Sequence, residues 1–177
     1  MKEIEAKILE IDRRDVEKRL VDLGAKKIFD GDILTMFFDF RDGSIVGAKN
    51  VLRLRKEGDK VELTFKKVHF TDVAKVAEEY SVEVSNLQTV KEILENLGLR
   101  ETESMEKWRI SYQLENARFD IDRYLGEYAY IPEFMEIEAK NEGALNSYAN
   151  VLGFGPEKCL PWSTKDVIQY YSKKNGP

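Results

Sequence analysis

Charged side chains in this 177-residue chain recur two residues apart. Glu3-x-Glu5-x-Lys7, Arg53-x-Arg55, Glu62-x-Thr64-x-Lys66, Glu79-x-Ser81-x-Glu83, Lys107-x-Arg109, Asp120-x-Asp122 and Glu136-x-Glu138-x-Lys140 follow one another along the sequence. Such spacing puts side chains on one face of a strand. Arg53, Arg55, Lys66, Lys107 and Arg109, joined by Lys7, Lys140 and Lys165, supply positive charge and forked donors for phosphate oxygens. Glu3, Glu5, Glu79, Glu83, Asp120, Asp122, Glu136 and Glu138 supply hard oxygen ligands of the kind that Mg²⁺ or Mn²⁺ takes. Acids placed beside a phosphate need a divalent cation between them. With one histidine, His69, and one cysteine, Cys159, covalent catalysis is the weaker option and metal-assisted phosphoryl transfer the stronger.

Regular elements must position these residues. Helices are expected over residues 12–23, 86–97 and about 142–152, each with an apolar stripe and each closed by a glycine, Gly24, Gly98 or Gly153. A short terminal helix is expected over 163–171, with Ser163 and Asp166 spaced as a capping box. Period-two alternation predicts strands over 3–11, 34–40, 51–56, 61–67, 79–84, 107–114, 118–124 and 134–140, with a hairpin turn at Gly58-Asp59. The pentapeptide Glu-Ile-Glu-Ala-Lys stands at 3–7 and again at 136–140, each copy followed by a helix ending in Leu-Gly, and residues 80–98 form a looser third unit. The expectation is one α+β domain over 1–177 with about eight mostly antiparallel strands.

Composition narrows the class. At 42% hydrophobic the chain can bury a core without metal or disulfide staples. One cysteine excludes a disulfide framework and suits a reducing cytoplasm; one histidine excludes a three-histidine zinc site. No apolar run nears the ~20 residues of a membrane span and no signal-peptide pattern is evident, so no membrane partner is expected. The formal charge of −5 argues against a general nucleic-acid binder. Charged residues nevertheless reach 34%, against about 25% in typical soluble domains, and they collect on strand faces opposite Leu52, Leu54, Phe65, Ile110, Phe119, Ile121 and Ile137. A solvated face laced by ion pairs would account for any one strand. Like charges repeated on successive strands suggest instead a sheet curled around a charged interior, costly if empty and suited to a polyanion with metal ions.

In this order, Glu3-x-Glu5-x-Lys7, Leu52-Arg53-Leu54-Arg55, Leu63-Thr64-Phe65-Lys66, Lys107-x-Arg109, Asp122, Leu125-Gly126 and Glu136-x-Glu138 resemble the CYTH family of CyaB-type (class IV) adenylate cyclases and thiamine triphosphatases, within the triphosphate tunnel metalloenzymes. The resemblance spans essentially the whole chain. It implies an eight-stranded antiparallel β-barrel tunnel, clad by helices, that binds a triphosphate. It also implies Mg²⁺ or Mn²⁺ held by Glu3, Glu5, Glu136 and Glu138, with Asp122 and Glu83 as further ligands. Lys7, Arg53, Arg55, Lys66, Lys107 and Arg109 would clamp phosphate, joined by Lys140 and by Lys165 in Trp162-Ser163-Thr164-Lys165. Glu5, Lys7, Arg55, Lys66, Arg109 and Asp122 form the set assigned to catalysis. Which of Glu79 and Glu83 approaches the metal stays open.

The leading function is hydrolysis of a phosphoanhydride bond in inorganic, nucleoside or thiamine triphosphate. The alternatives are an adenylate cyclase converting ATP to cyclic AMP and pyrophosphate, and a non-catalytic polyphosphate- or nucleotide-binding module. A homodimer follows only by analogy. Trp108 and Trp162 read as core or cover rather than base-stacking platforms, His69 as a solvated loop residue, Cys159 as inert, and Tyr124, Tyr128 and Tyr130 as packing near Gly126.

Overall fold

The computed structural model describes residues 4–70 and 75–174. Eight strands are β1 (Ile4–Ile8), β2 (Lys26–Phe40), β3 (Val51–Glu57), β4 (Lys60–Phe70), β5 (Lys75–Val84), β6 (Leu99–Leu114), β7 (Ala117–Tyr124) and β8 (Phe134–Ala139). Five helices are α1 (Arg13–Asp22), α2 (Ser44–Gly47), α3 (Leu87–Asn96), α4 (Glu142–Val151) and α5 (Thr164–Lys174). The strands hydrogen-bond in the order β1-β8-β7-β6-β2-β3-β4-β5, the α+β, eight-stranded antiparallel arrangement expected. The order runs from β1 to β5 among the described residues, so closure into a barrel is not part of this hydrogen-bonded order.

The helix boundaries follow from local chemistry. Asp12, Asn86 and Asn141 cap α1, α3 and α4, accepting from the backbone N–H of Asp15, Thr89 and Ala144. Gly24, Gly98 and Gly153 follow these helices at φ of 84°, 93° and 84°, where a side chain would be strained. Ser163 and Asp166 form the expected reciprocal cap: the Ser163 N–H donates to the Asp166 carboxylate at 2.8 Å, and the Asp166 N–H to Ser163 Oγ at 3.3 Å. Several bounds differ from those expected: β1 ends at Ile8 rather than at residue 11, and β5 starts at Lys75 rather than at residue 79. β2 and β6 start earlier than their alternation suggested, because their first residues are mostly polar. α2 is too short to show a period. His69 lies within β4 rather than in a loop.

The chain forms two compact units, Met1–Gly31 with Lys107–Pro177, and Asp32–Glu106. In the first, Val16 and Leu20 of α1 and Leu145 and Ala149 of α4 pack with Ala6, Ile8, Ile110, Phe119, Ile121, Met135 and Ile137. These are the apolar-parity residues of β1, β6, β7 and β8, so the opposite parity is left for the charges. In the second unit, Leu94 of α3 packs with Met36, Phe38, Leu54, Val61 and Leu99.

Candidate active site

In the first unit the registers align charged residues in rows. Glu5 stands opposite Glu138, which stands opposite Arg118, which stands opposite Gln113. One step along, Lys7 faces Glu136, Glu136 faces Asp120 and Asp120 faces Ser111. The next row brings Asp122 opposite Arg109, and Lys107 opposite Tyr124. Residues so paired have Cβ atoms about 4.5–5.5 Å apart, close enough to interact.

This face is not the solvated surface that single strands suggested. Lys7, Lys107, Arg109, Ser111, Asp120 and Asp122 are all buried. Buried charges persist only when paired, and these are. Lys7 donates to Glu136. Arg109 grips Asp122 with a fork, Nε to Oδ1 and Nη2 to Oδ2 at 2.6 Å each, and its Nη1 donates to Asp120. Lys107 Nζ donates to Asp122 Oδ2 at 2.7 Å. Arg118 Nε donates to Asp120 Oδ1 at 2.8 Å and Nη2 to Ser111 Oγ at 3.2 Å.

The electrostatic consequences are large. Burial alone would raise the Asp122 acid, but the charges of Lys107 and Arg109 and their hydrogen bonds hold it well below the usual carboxylate range. Burial likewise works against the Arg109 charge, and Asp122 and Asp120 outweigh it, so the guanidinium is held still more firmly protonated. The Tyr124 phenol is pushed up to about 12 by burial and by the neighbouring Asp122 charge. It stays neutral and lies 5.9 Å, ring centroid to Nζ, from Lys107.

Arg53, Arg55 and Lys66, also expected from sequence, lie on the second unit. Arg55 Nε donates to Thr35 Oγ1 at 3.3 Å. Arg53 Nη2 donates to Thr64 Oγ1 at 3.5 Å and lies 3.8 Å from Glu62. Lys66 pairs with Glu79 at 2.8 Å; burial raises the Glu79 acid and Lys66 more than reverses it, leaving it lowered. Glu83 is largely exposed and reaches Lys60 at 3.9 Å. Ser81 hydrogen-bonds Thr64 at 3.0 Å between these pairs.

Of the residues expected at the site, Lys7, Lys107, Arg109, Asp122, Glu136, Glu138 and Glu5 therefore share one face of the first unit. Lys140, one residue beyond β8, and Lys165 on α5 are exposed. Arg53, Arg55, Lys66 and Glu83 belong to the second unit, and Glu3 lies outside the described residues. The sequence reading missed Arg118 as a functional candidate. The signal is available in the sequence, since Arg118 has the parity of Asp120 and Asp122 and stands two residues before that pair. Asp39 was missed as well. It is a buried carboxylate accepting from the N–H groups of Phe40, Ile45 and Val46, a role in holding α2 that no sequence period announces. Burial works to raise its acid, and these three bonds lower it.

Among the described residues no three acid, histidine or cysteine side chains converge as a ready-made metal site. The reason lies in the pairing: lysine and arginine side chains occupy Glu136, Asp120 and Asp122. Glu5 and Glu138 stand opposite each other in register, two like charges on the same face whose repulsion a cation between them would relieve. Hard carboxylate oxygens on one face, beside donors for phosphate, fit Mg²⁺ or Mn²⁺, which usually takes one or two carboxylates and completes its shell with water and substrate phosphate.

An antiparallel sheet with helices on its apolar face and buried, carboxylate-held guanidinium and ammonium groups on the other defines an α+β protein built to handle an oxyanion. The chain belongs to the CYTH family: the CYTH domain model matches residues 1–146. It is 28% identical over 155 residues, 86% of this chain and 84% of the relative, to the Methanocaldococcus jannaschii protein named "Putative adenylate cyclase MJ0240". Its fold is shared with the PH1012 protein of Pyrococcus horikoshii (TM-score 0.72, 23% identity, 94% of this chain and 99% of that one). The Hippeastrum protein HpAC1, described as revealing a dominant triphosphatase activity, also shares it (TM-score 0.66, 15% identity, 96% of both chains). Among the described residues no helix is long and apolar enough to cross a membrane.

Proposed function

We propose that this protein is a divalent-metal-dependent enzyme that binds a triphosphate on its charged faces and cleaves a phosphoanhydride bond. The observation that carries the reading is the buried Arg109–Asp122–Lys107 cluster on the same strand face as the facing acids Glu5 and Glu138. A solvated face has no need of such a cluster, and a simple anion binder gains nothing from the acids.

Lys7, Lys107 and Arg109 bind phosphate oxygens in place of part of their carboxylate contacts. Asp120 and Asp122 hold the Arg109 fork in one orientation, so its donors are preorganised before substrate arrives. Arg118, tied to Asp120 and Ser111, extends the donor row toward Gln113. Glu5 and Glu138, with Glu136 and Glu3, would hold Mg²⁺ or Mn²⁺; bound there, the ion supplies charge neutralisation for the phosphates and the leaving oxygen. Arg53, Arg55 and Lys66 are assigned to phosphate by the family pattern.

Hydrolysis is favoured because it makes fewer demands on the far end of the substrate, and it agrees with the triphosphatase activity described for HpAC1. The name of the M. jannaschii relative supports cyclisation of ATP as the second reading. Product analysis separates them. The protein is incubated with inorganic triphosphate and with ATP, in Mg²⁺ and in Mn²⁺, and orthophosphate, pyrophosphate and cyclic AMP are measured. Orthophosphate without cyclic AMP is expected; cyclic AMP with stoichiometric pyrophosphate would make it a cyclase. Binding without turnover, insensitive to EDTA, would overturn both.

A further inference from the structure

On the second unit a line of hydrogen bonds joins two of the cations expected to hold phosphate. Register sets Arg53 of β3 opposite Thr64 of β4 and Thr64 opposite Ser81 of β5, while Lys66 faces Glu79. Arg53 Nη2 donates to Thr64 Oγ1 at 3.5 Å, and Thr64 Oγ1 stands 3.0 Å from Ser81 Oγ. Ser81 Oγ is 3.3 Å from Glu79 Oε1, on the carboxylate that pairs with Lys66 at 2.8 Å. Thr64 Oγ1 also lies 3.2 Å from Glu62 Oε1. Thr64 is wholly buried, whereas Ser81 is exposed.

A hydroxyl has one proton to give and two lone pairs to accept with. These contacts therefore permit two arrangements in which the Thr64 and Ser81 oxygens share a proton. In one, Thr64 donates to Glu62 and Ser81 donates to Thr64. In the other, Thr64 donates to Ser81 and Ser81 to Glu79, so every bond from Arg53 to Glu79 runs in the same direction and each polarises the next. Thr64 accepts from Arg53 in both. Burial works to raise the Glu79 acid, and Lys66, Arg53 and the Ser81 hydroxyl together outweigh it. Both ends of the line thus act on one carboxylate.

We infer that Thr64 and Ser81 are positioning residues: Thr64 fixes the Arg53 guanidinium, and the Thr64–Ser81 pair couples Arg53 to Lys66. A phosphate that takes Lys66 loosens the grip of Lys66 on Glu79. Glu79 then draws the Ser81 proton, which selects the second arrangement and holds the Arg53 fork for a further phosphate oxygen. The inference rests on the triphosphate-processing reading above, and within it requires that Arg53 and Lys66 bind the same anion.

The test reads the affinity for inorganic triphosphate by calorimetry, with Mg²⁺ present, and kcat/KM separately. T64V keeps the side chain's shape and removes its hydroxyl, so it should weaken binding about 2–10-fold, as the loss of one hydrogen bond does. T64S should restore the affinity, and T64V should cost nothing further once Arg53 is replaced in R53A. The losses from R53A and K66A should be coupled, their combined loss differing at least about twofold from the product of the two. S81A, at an exposed position and so available should T64V fold poorly, should make them independent. Unchanged affinity in both T64V and S81A, an equal T64V loss with and without Arg53, or independent R53A and K66A losses in the wild-type background would overturn the coupling. Turnover of triphosphate alongside any of these results would leave the enzyme reading intact. Coupled binding without turnover would keep the positioning pair and overturn the enzyme reading, and no binding by wild type would overturn both.

Discussion

Replacing Asp122 by asparagine removes the charge that organises the buried cluster without changing its size. Asp122 is 1% exposed and accepts from Lys107 at 2.7 Å and from Arg109 through two bonds of 2.6 Å. Arg109 would keep Asp120, but Lys107, itself 9% exposed, would lose this buried carboxylate partner. Removing one member of a buried pair costs about 3–5 kcal/mol, and the retained Asp120 contact places D122N toward the lower end. The pH dependence gives a sharper signature. The folded-state acid of Asp122 lies below its unfolded value of about 3.9, so its contribution is present above pH ~4 and declines as pH falls below that. Over this window wild type loses at most about 1.4 kcal/mol per pH unit through this one group, and D122N loses none through it. Urea unfolding at pH 7 and near pH 2.5 should therefore show a wild-type advantage of a few kcal/mol that narrows in acid. An advantage below about 1 kcal/mol at pH 7, or one that does not change with pH, would refute the argument that a charged Asp122 holds the cluster.

Three further outcomes are expected. Glu5 is exposed, so E5Q should leave stability within about 0.5 kcal/mol of wild type. It should nonetheless lower Mg²⁺-dependent turnover at least as much as the 10–100-fold typical of losing a residue that merely supports a metal ligand; full activity would remove Glu5 from the site. R55A deletes a guanidinium worth about 1.5–3 kcal/mol to a bound anion, so kcat/KM for a triphosphate should fall about tenfold or more and far more than for a monophosphate ester; an equal fall in both would remove Arg55 from the clamp. Asn141 accepts the Ala144 N–H at 2.8 Å and starts the helix that buries Leu145 and Ala149. N141A should cost about 1 kcal/mol, read as a lower thermal midpoint with unchanged relative activity towards different triphosphates.

The elements were legible because their signals are local. Asp12, Asn86 and Asn141 before an apolar stripe, and Gly24, Gly98 and Gly153 after one, mark helix ends by backbone geometry that needs no distant partner. Strand parity assigned Ile110, Ile121 and Ile137 to the core and Arg109, Asp122 and Glu138 to the opposite face, because alternation is a property of the pleat itself. Where polar residues fill the starts of β2 and β6 the alternation is absent, and these strands extend beyond the segment that a period of two marks.

What the sequence determined, then, was the inventory and the face: which residues could bind phosphate and metal, and that they point the same way along their strands. What only the tertiary structure decided was how they are shared out. Register set Glu5 against Glu138, Lys7 against Glu136 and Arg109 against Asp122. The path of the chain ahead of α5 brought Leu160 into backbone pairing with Lys7. These are pairings between residues far apart in sequence, and their energies depend on burial and on distances of a few ångströms. A period read along one strand carries no information about either.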